Sequence, residues 1–144
     1  MKSLHLKKPL LMCLILALSG IASAAEVVFK GGGYFAHFCD GGGCQSLITV
    51  VNLEAVPNPY ILSFFNDNGA PQPVVTDVGT VSIFAGTLQP FESKTITTSG
   101  VALSQVQGWV DLSTPGIVGG SVMFRINLAP WINSEALEIG RAHV

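Results

Sequence analysis

The stretch Tyr34–Asn52, which reads YFAHFCDGGGCQSLITVVN, decides the fold of this chain. It contains two runs with alternating apolar positions, separated by the glycine-rich segment Asp40–Gly43. An alternation of period two predicts β-strands, and glycine accepts the positive φ that a tight turn needs. We therefore predict a β-hairpin in which strands Tyr34–Cys39 and Cys44–Leu53 are joined by a four-residue turn.

Residues 1–24 have the three parts of a secretory signal peptide. Lys2, Lys7 and Lys8 precede an apolar run, Leu10–Leu18, and small residues follow at Ala22–Ala24. The alternative is a transmembrane anchor, but the run is much shorter than the ~20 residues that a spanning helix needs. We predict cleavage after Ala24, with Ala25 as the alternative site. The mature protein is then exported, and is periplasmic, secreted or on the cell surface.

Two of the three cysteines, Cys39 and Cys44, remain after that cleavage. An oxidising compartment favours a disulfide between them. Directly opposed non-hydrogen-bonded strand positions lie ~4.5 Å apart in Cα, within disulfide reach, and we expect the two cysteines to face each other in this way. The alternative is a metal pair, which would want further Cys or His ligands, and only His37 is close in sequence. The hairpin is thus predicted to carry a disulfide that clamps its turn.

The C-terminal residues Ile139–Val144 read IGRAHV. One frame of a common short-read sequencing adapter encodes the same six residues followed by a stop codon. We therefore hypothesise that the gene model ran into adapter sequence, that the β-domain spans residues 25–138 and that it is C-terminally truncated. A natural polar tail is the alternative, and resequencing the locus distinguishes the two.

The mature chain is acidic and rich in β-forming residues. After residue 24 there are four basic and nine acidic residues, a net charge of −5. Without a basic patch, nucleic acid and anionic membranes are poor partners, and no membrane insertion is expected after signal cleavage. Abundant Gly, Thr, Ser and Val indicate an all-β protein rather than a helical or disordered one.

The rest of the chain continues as short strands separated by turn residues at spacings of roughly 8–12, which is typical of an all-β antiparallel β-sandwich of about 7–9 strands. Turns are predicted at Asn66–Gly69 and Gly86–Pro90, where turn-forming residues cluster. The further predicted strands are Glu26–Lys30, Tyr60–Phe65, Pro73–Val78, Thr80–Ala85, Phe91–Thr98, Val106–Ser113, Gly119–Ile126 and Ser134–Leu137.

Several short motifs occur in a characteristic order. They are Phe35-Ala36-His37-Phe38, Gly41-Gly42-Gly43, Leu47, Asn52, Asn68-Gly69, Pro71, Leu88-Gln89-Pro90, Ser93, Thr98-Ser99-Gly100, Gly108-Trp109, Gly120 and Phe124-Arg125. In this respect the chain resembles a family of exported bacterial β-sandwich repeats of uncharacterised function. The resemblance implies an immunoglobulin-like sandwich without known catalytic residues. The two cysteines depart from the family pattern.

The sequence carries no nucleophile elbow, metalloprotease helix or phosphate loop, so we expect no enzyme activity and no cofactor. His37 is expected to be a packed histidine rather than a base or ligand. Asp40 and Asp67 are weak calcium candidates. For Asp40 we favour hydrogen bonds from the glycine N–H groups of its own turn, and near Asp67 the EF-hand spacing fails. Asp111 is a lone carboxylate.

Tyr60 and Phe64-Phe65 could form a sugar-stacking platform, although core packing is the favoured interpretation. The chain is thus predicted to be a non-catalytic, extracellular or cell-surface module with a structural or adhesion-like interaction role. The alternatives are a carbohydrate-binding accessory module and a pilin-like subunit completed by a donated strand. The ligand or partner, an unidentified protein or glycan, is not specified by the sequence.

Overall fold

The computed structural model describes residues 31–129, 132–140 and 142–143, so the predicted signal peptide and the predicted strand Glu26–Lys30 lie outside the described residues. Every regular element in the described ranges is a β-strand. The strands are β1 Gly31–Gly41, β2 Cys44–Asn52, β3 Asn58–Asn66, β4 Val74–Thr76, β5 Gly79–Val81, β6 Ile83–Leu88, β7 Ser93–Thr97, β8 Val106–Thr114, β9 Val118–Ala129, β10 Ile132–Gly140 and β11 Ala142–His143. In these ranges no helix is long and apolar enough to cross a membrane.

The main sheet has nine strands, all antiparallel, and it folds over into two layers. One layer runs β1-β8-β3-β6 and the other β7-β2-β9-β10, and the two are continuous through the β1–β2 turn. The ninth strand, β11, pairs with β1. β4 and β5 form a separate two-stranded sheet. The predicted all-β antiparallel sandwich is therefore confirmed, whereas its immunoglobulin-like character and the origin of residues 139–144 stay predictions.

Within the described ranges an apolar core fills the space between the layers, and β2, β3 and β8 bury every second side chain along most of their length. In β2 the buried positions include Ile48, Val50 and Asn52, the face that the alternation predicts to lie together. The β1-β8-β3-β6 layer contributes the larger aromatic side chains. The fully or nearly buried apolar residues of this core are Phe35, Phe38, Ile48, Val50, Tyr60, Leu62, Phe64, Val74, Leu88, Ile96, Val110, Leu112, Val118 and Val122.

The turn of the first hairpin is tighter than its sequence predicts. Gly41 pairs with Cys44, and Gly42 and Gly43, which both have positive φ, form a two-residue turn. Two-residue turns of this kind match the right-handed twist of the strands and require glycine-like conformations. The predicted four-residue loop was wrong, and Cys39 is not directly opposite Cys44.

The two strands of the hairpin separate at Ser46, and each continues in a different layer of the sandwich. Its hydroxyl accepts a hydrogen bond from the Cys39 N–H (2.8 Å) and donates one to the Cys39 carbonyl (2.9 Å). The Thr98 hydroxyl accepts from the Ser46 N–H (2.8 Å) and also donates to the Cys39 carbonyl (3.0 Å). Side chains thus satisfy the main-chain groups that separate here. From Leu47 onward β2 pairs with β7, while β1 pairs with β8.

The middle of the chain differs from its predicted strand boundaries. The predicted strand Thr80–Ala85 is divided at Ser82 into β5 and β6, and β6 continues through Gly86, where a turn is predicted. Gly86 pairs with Tyr60 in the β3–β6 ladder, and the Tyr60 ring leaves no room for a side chain there: a Cβ at this position would be 2.9–3.0 Å from that ring. The turn comes later, at residues 89–92, and Phe91 adopts a positive φ there.

Tyr60→Phe is expected to leave the free energy of unfolding unchanged or to raise it by up to about 1 kcal/mol. Tyr60 is 1% exposed, and its hydroxyl is the only buried side-chain oxygen or nitrogen without a hydrogen-bond partner in the described part of the chain. Burial, with a smaller effect of the Glu92 carboxylate, raises the pKa of this hydroxyl. Urea unfolding measures the effect.

The contrasting variant is Thr98→Val, which removes a buried hydroxyl that makes two hydrogen bonds. This substitution is expected to cost about 1–3 kcal/mol, because it leaves the buried Ser46 N–H without an acceptor, while the Cys39 carbonyl keeps the hydrogen bond from the Ser46 hydroxyl. A Tyr60→Phe protein that is as destabilised as the Thr98→Val protein would contradict the prediction.

Candidate functional site

The disulfide predicted from the sequence is present. Cys39 and Cys44 are bonded with their Cα atoms 5.8 Å apart, and they are 1% and 6% exposed. A buried disulfide in a tight turn is a structural crosslink rather than an accessible redox centre. The pair clamps the turn, as predicted, although the register of the strands around it is different.

Asp40 follows the first cysteine and is almost completely buried, at 2% exposed. Its carboxylate accepts hydrogen bonds from the Gly100 N–H (2.6 Å) and the Ser99 hydroxyl (3.2 Å). The predicted partners, the glycine N–H groups of its own turn, are therefore wrong: the observed donors lie about sixty residues further along the chain. Asp40 fastens the segment after β7 to the first hairpin.

That segment, residues 99–105, is called the clamped loop below. Besides its bonds to Asp40, its Ala102 carbonyl accepts a hydrogen bond from the Gly42 N–H (2.7 Å). The contact between loop and turn is close, since a Cβ at Gly41 would be 2.5 Å from the Ser104 carbonyl oxygen. The loop is thus held at several points along its main chain, which limits the conformations that it can adopt.

The clamped loop presents apolar side chains to solvent. Val101 is 81% exposed and Leu103 fully exposed. Beside them lies a cleft of about 260 Å³, lined by Gly43, Cys44, Gln45, Ser99, Gly100 and Val101. Sequence reasoning missed this loop. The available signal was a pair of aliphatic residues between Gly100 and Ser104, without the alternation of a strand.

The two weak calcium candidates, Asp40 and Asp67, have different structural roles. Asp67 lies in an exposed turn and accepts a hydrogen bond from the Gln107 side-chain amide (3.1 Å). In the same turn the Asn66 side-chain oxygen accepts from the N–H groups of Asn68 and Ala70, both at 3.0 Å. These contacts are those of an Asx-stabilised turn. Within the described ranges no three His, Cys, Asp or Glu residues are grouped so that they could hold a metal ion.

The aromatic residues predicted as core or platform divide between the two faces of their sheet. Tyr60 and Phe64 are buried, which confirms core packing for these two. Phe65 lies on the outer face and stacks on Trp109 (ring centroids 4.5 Å apart, 20° between planes). Tyr34, 63% exposed, meets Trp109 edge-on at 5.8 Å. The indole of Trp109 is thus occupied by two neighbouring rings, and Tyr34 is the exposed member of this row.

Asp111 and His37 both have neighbours that the sequence does not reveal. Asp111 pairs with Tyr34 across β1 and β8, and its carboxylate accepts a hydrogen bond from the Ser113 hydroxyl (2.8 Å). His37 lies in a β-bulge between Phe35 and Phe38, and its ring packs against Phe124 (centroids 5.3 Å apart). A packed histidine, as predicted, is what the structure shows.

The other end of β2 contains a polar centre that sequence reasoning also missed. Asn52 is fully buried; its amide N–H₂ donates to the carbonyls of Val56 (2.7 Å) and Gln89 (3.0 Å), and its oxygen accepts from the Asn58 amide (2.8 Å). Through these bonds one side chain connects the loop after β2, the turn after β6 and the first residue of β3.

Glu54 lies beside this centre at the surface. Its carboxylate accepts hydrogen bonds from the Ile117 N–H (2.9 Å) and the Asn58 amide (2.7 Å). These two bonds, with that from Ile117 the stronger cause, hold the pKa of Glu54 below its ordinary value. Any stabilisation of the fold by these two hydrogen bonds is present at pH values above the ordinary glutamate pKa. It is lost as the pH falls through the lowered pKa of Glu54.

No protein-family model, no curated protein and no solved structure matches this chain.

Proposed function

We propose that the chain is an exported, non-catalytic interaction module of the cell surface that binds a protein partner through the clamped loop. The observation that carries this proposal is the exposure of Val101 and Leu103 on a loop whose main chain is bound to the buried carboxylate of Asp40. Exposed aliphatic side chains cost little in solvent individually, but their burial against a partner stabilises a complex. A loop held in one conformation also loses little entropy on binding.

The location at the cell surface rests on two supports. One is the signal-like segment at residues 1–24, with its basic start, apolar run and small residues. The other is the disulfide, which suits an oxidising compartment. The resemblance to exported bacterial β-sandwich repeats agrees with both, and it supports an immunoglobulin-like connection of the strands.

The test compares two double variants in the full chain, purified after export. Val101→Ser/Leu103→Ser alters the clamped loop. Leu53→Ser/Val56→Ser is the matched control, because it changes the same two residue types, at 54% and 55% exposure, next to the opposite end of β2. The probe is the immobilised cell-envelope protein fraction of the source organism, and surface plasmon resonance measures saturable binding.

We expect the clamped-loop variant to bind at least about tenfold more weakly than the wild type, whereas the control binds like the wild type. Asp40→Ala removes the hydrogen bonds that hold the loop but keeps both aliphatic residues. It should give an intermediate loss of binding affinity, through slower association. Equal binding of the two double variants, or no saturable binding by the wild type, would reject the clamped loop as the binding site.

A carbohydrate-binding accessory module is the second candidate function, and Tyr34 favours it. This ring is 63% exposed and stands beside the Asp111 carboxylate, an arrangement that offers a sugar both an aromatic surface and a hydrogen-bond acceptor. A glycan array probed with the wild type and with Tyr34→Ala distinguishes the candidates. Binding that disappears in Tyr34→Ala supports the glycan function, and an array without any signal removes it.

A further inference from the structure

Strand β6 is an edge strand with unpaired main-chain groups. Among the described residues it pairs only with β3, and the Phe64 N–H donates to the Ser82 carbonyl (2.8 Å) at the start of the ladder. Because hydrogen-bonded pairs alternate along an antiparallel ladder, the N–H and C=O groups of Ile83, Ala85 and Thr87 point away from β3. Within the described ranges these groups make no hydrogen bond.

The side chains on this edge offer no protection against another strand. Ile83 is 62% exposed, and Ala85 and Thr87 are exposed as well. The strand, IFAGTL, contains neither a charged residue nor a proline, the usual devices that keep sheet edges from pairing. The main-chain groups and the side chains of the β6 edge are therefore both accessible to another strand.

The neighbouring edge, β7, is protected in two ways. Thr97 exchanges hydrogen bonds with Asp77, whose N–H donates to the Thr97 carbonyl (2.9 Å) and whose carboxylate accepts from the Thr97 N–H (3.0 Å). Lys94 reaches from β7 across the side of the sandwich to the Phe84 ring, with its ammonium 5.1 Å from the ring centroid. A charged side chain that points inward from an edge strand hinders pairing. The protection of β7 contrasts with the open edge of β6.

We propose that β6 pairs antiparallel with β6 of a second copy of this chain. With Ala85 on a two-fold axis, Ile83 of each copy lies opposite Thr87 of the other, and all the outward main-chain groups find partners in about six hydrogen bonds. The small Ala85 side chains meet at the centre, and no charges oppose each other along the strand. The two β1-β8-β3-β6 layers then form one continuous sheet across the dimer.

A second copy suits this edge better than a charged peptide. β6 itself has no charged residue, so pairing this strand with β6 of a second copy places no like charges opposite each other. A six-residue edge buries less than the about 800 Å² per partner of standard interfaces, so the dimer is weak, with a Kd on the order of 100 µM. The inference does not rest on the clamped loop, which lies beside the β1–β2 turn.

Sedimentation equilibrium of the full exported chain, from about 10 µM to about 1 mM, tests the inference. Ala85→Pro removes an outward N–H that the β3–β6 ladder does not use, and Ala85→Lys places two ammonium groups opposite each other on the axis. Ala85→Ser is the matched control, since it keeps the amide and a small side chain. The wild type and the control are expected to dimerise, and both other variants to associate at least about tenfold more weakly.

A wild type that stays monomeric over the whole range would overturn the inference, as would a dimer that Ala85→Lys does not weaken. Because Ala85 is exposed, the lysine variant is expected to fold, so the test is decisive even where the proline variant is destabilised. Val101→Ser/Leu103→Ser should dimerise like the wild type, which separates this inference from the proposed function.

Discussion

Gly108→Ala is expected to reduce the free energy of unfolding by more than about 3 kcal/mol, a large part of the about 5–15 kcal/mol that holds a domain folded. Gly108 is the third residue of β8, paired with Phe38 on one side and with Asn66 on the other. A Cβ here would overlap the Phe65 carbonyl oxygen and lie 2.9 Å from the Asn66 Cα. The main chain of a central strand cannot move away without breaking the β3–β8 ladder.

The matched control is Gly119→Ala in β9. A Cβ there would meet only the side chains of Val51 and Leu53, at 3.4 and 3.5 Å, which are ordinary contacts. Urea unfolding followed by circular dichroism should show a strongly lowered midpoint for Gly108→Ala and a shift within about 0.5 kcal/mol for Gly119→Ala. Similar midpoints for the two variants would mean that the β3–β8 spacing does not require glycine.

Asn52→Asp is the second substitution with a large expected effect. It replaces an amide that donates to the Val56 and Gln89 carbonyls by a carboxylate that cannot donate, in a fully buried position. A buried charge that faces carbonyl oxygens is strongly unfavourable, and we expect a loss of more than about 3 kcal/mol at pH 7. The polar centre at this end of β2 would then no longer connect the loop after β2 with the turn after β6.

The pH dependence of this variant follows from the same contacts. Burial and the facing carbonyls would raise the pKa of the introduced carboxyl above its unfolded value, so the folded form binds protons more readily. The loss relative to the wild type should therefore be largest above the raised pKa and should shrink as the pH falls. Asn68→Asp, in an exposed turn, is the control and should change stability by less than about 0.5 kcal/mol. An equally stable Asn52→Asp protein would refute the role of this amide.

Local sequence patterns correctly predicted those elements whose contacts are made by residues close together in the sequence. The alternation in Cys44–Leu53 predicted a strand, and the structure has β2 at Cys44–Asn52 with every second side chain buried, because side chains in a strand alternate between its two faces. The Asn66–Gly69 turn and the Cys39–Cys44 disulfide were also predictable, since their partners are only a few residues apart. By contrast, Gly86 was assigned to a turn from its residue type, although it pairs with Tyr60 on the adjacent strand and lies in β6.

By itself, the sequence of the first hairpin determined that two strands meet at a glycine turn and that two cysteines can close it. Only the tertiary structure decided which distant segments of the chain this hairpin contacts. Hydrogen bonds of Ser46 and Thr98 satisfy the main-chain groups where the two strands separate into different layers. The Asp40 carboxylate accepts a hydrogen bond from Gly100 of the clamped loop, sixty residues later in the chain. The physical reason is that hydrogen bonds between residues fifty or sixty positions apart depend on how the layers pack. That packing leaves no periodicity in the sequence.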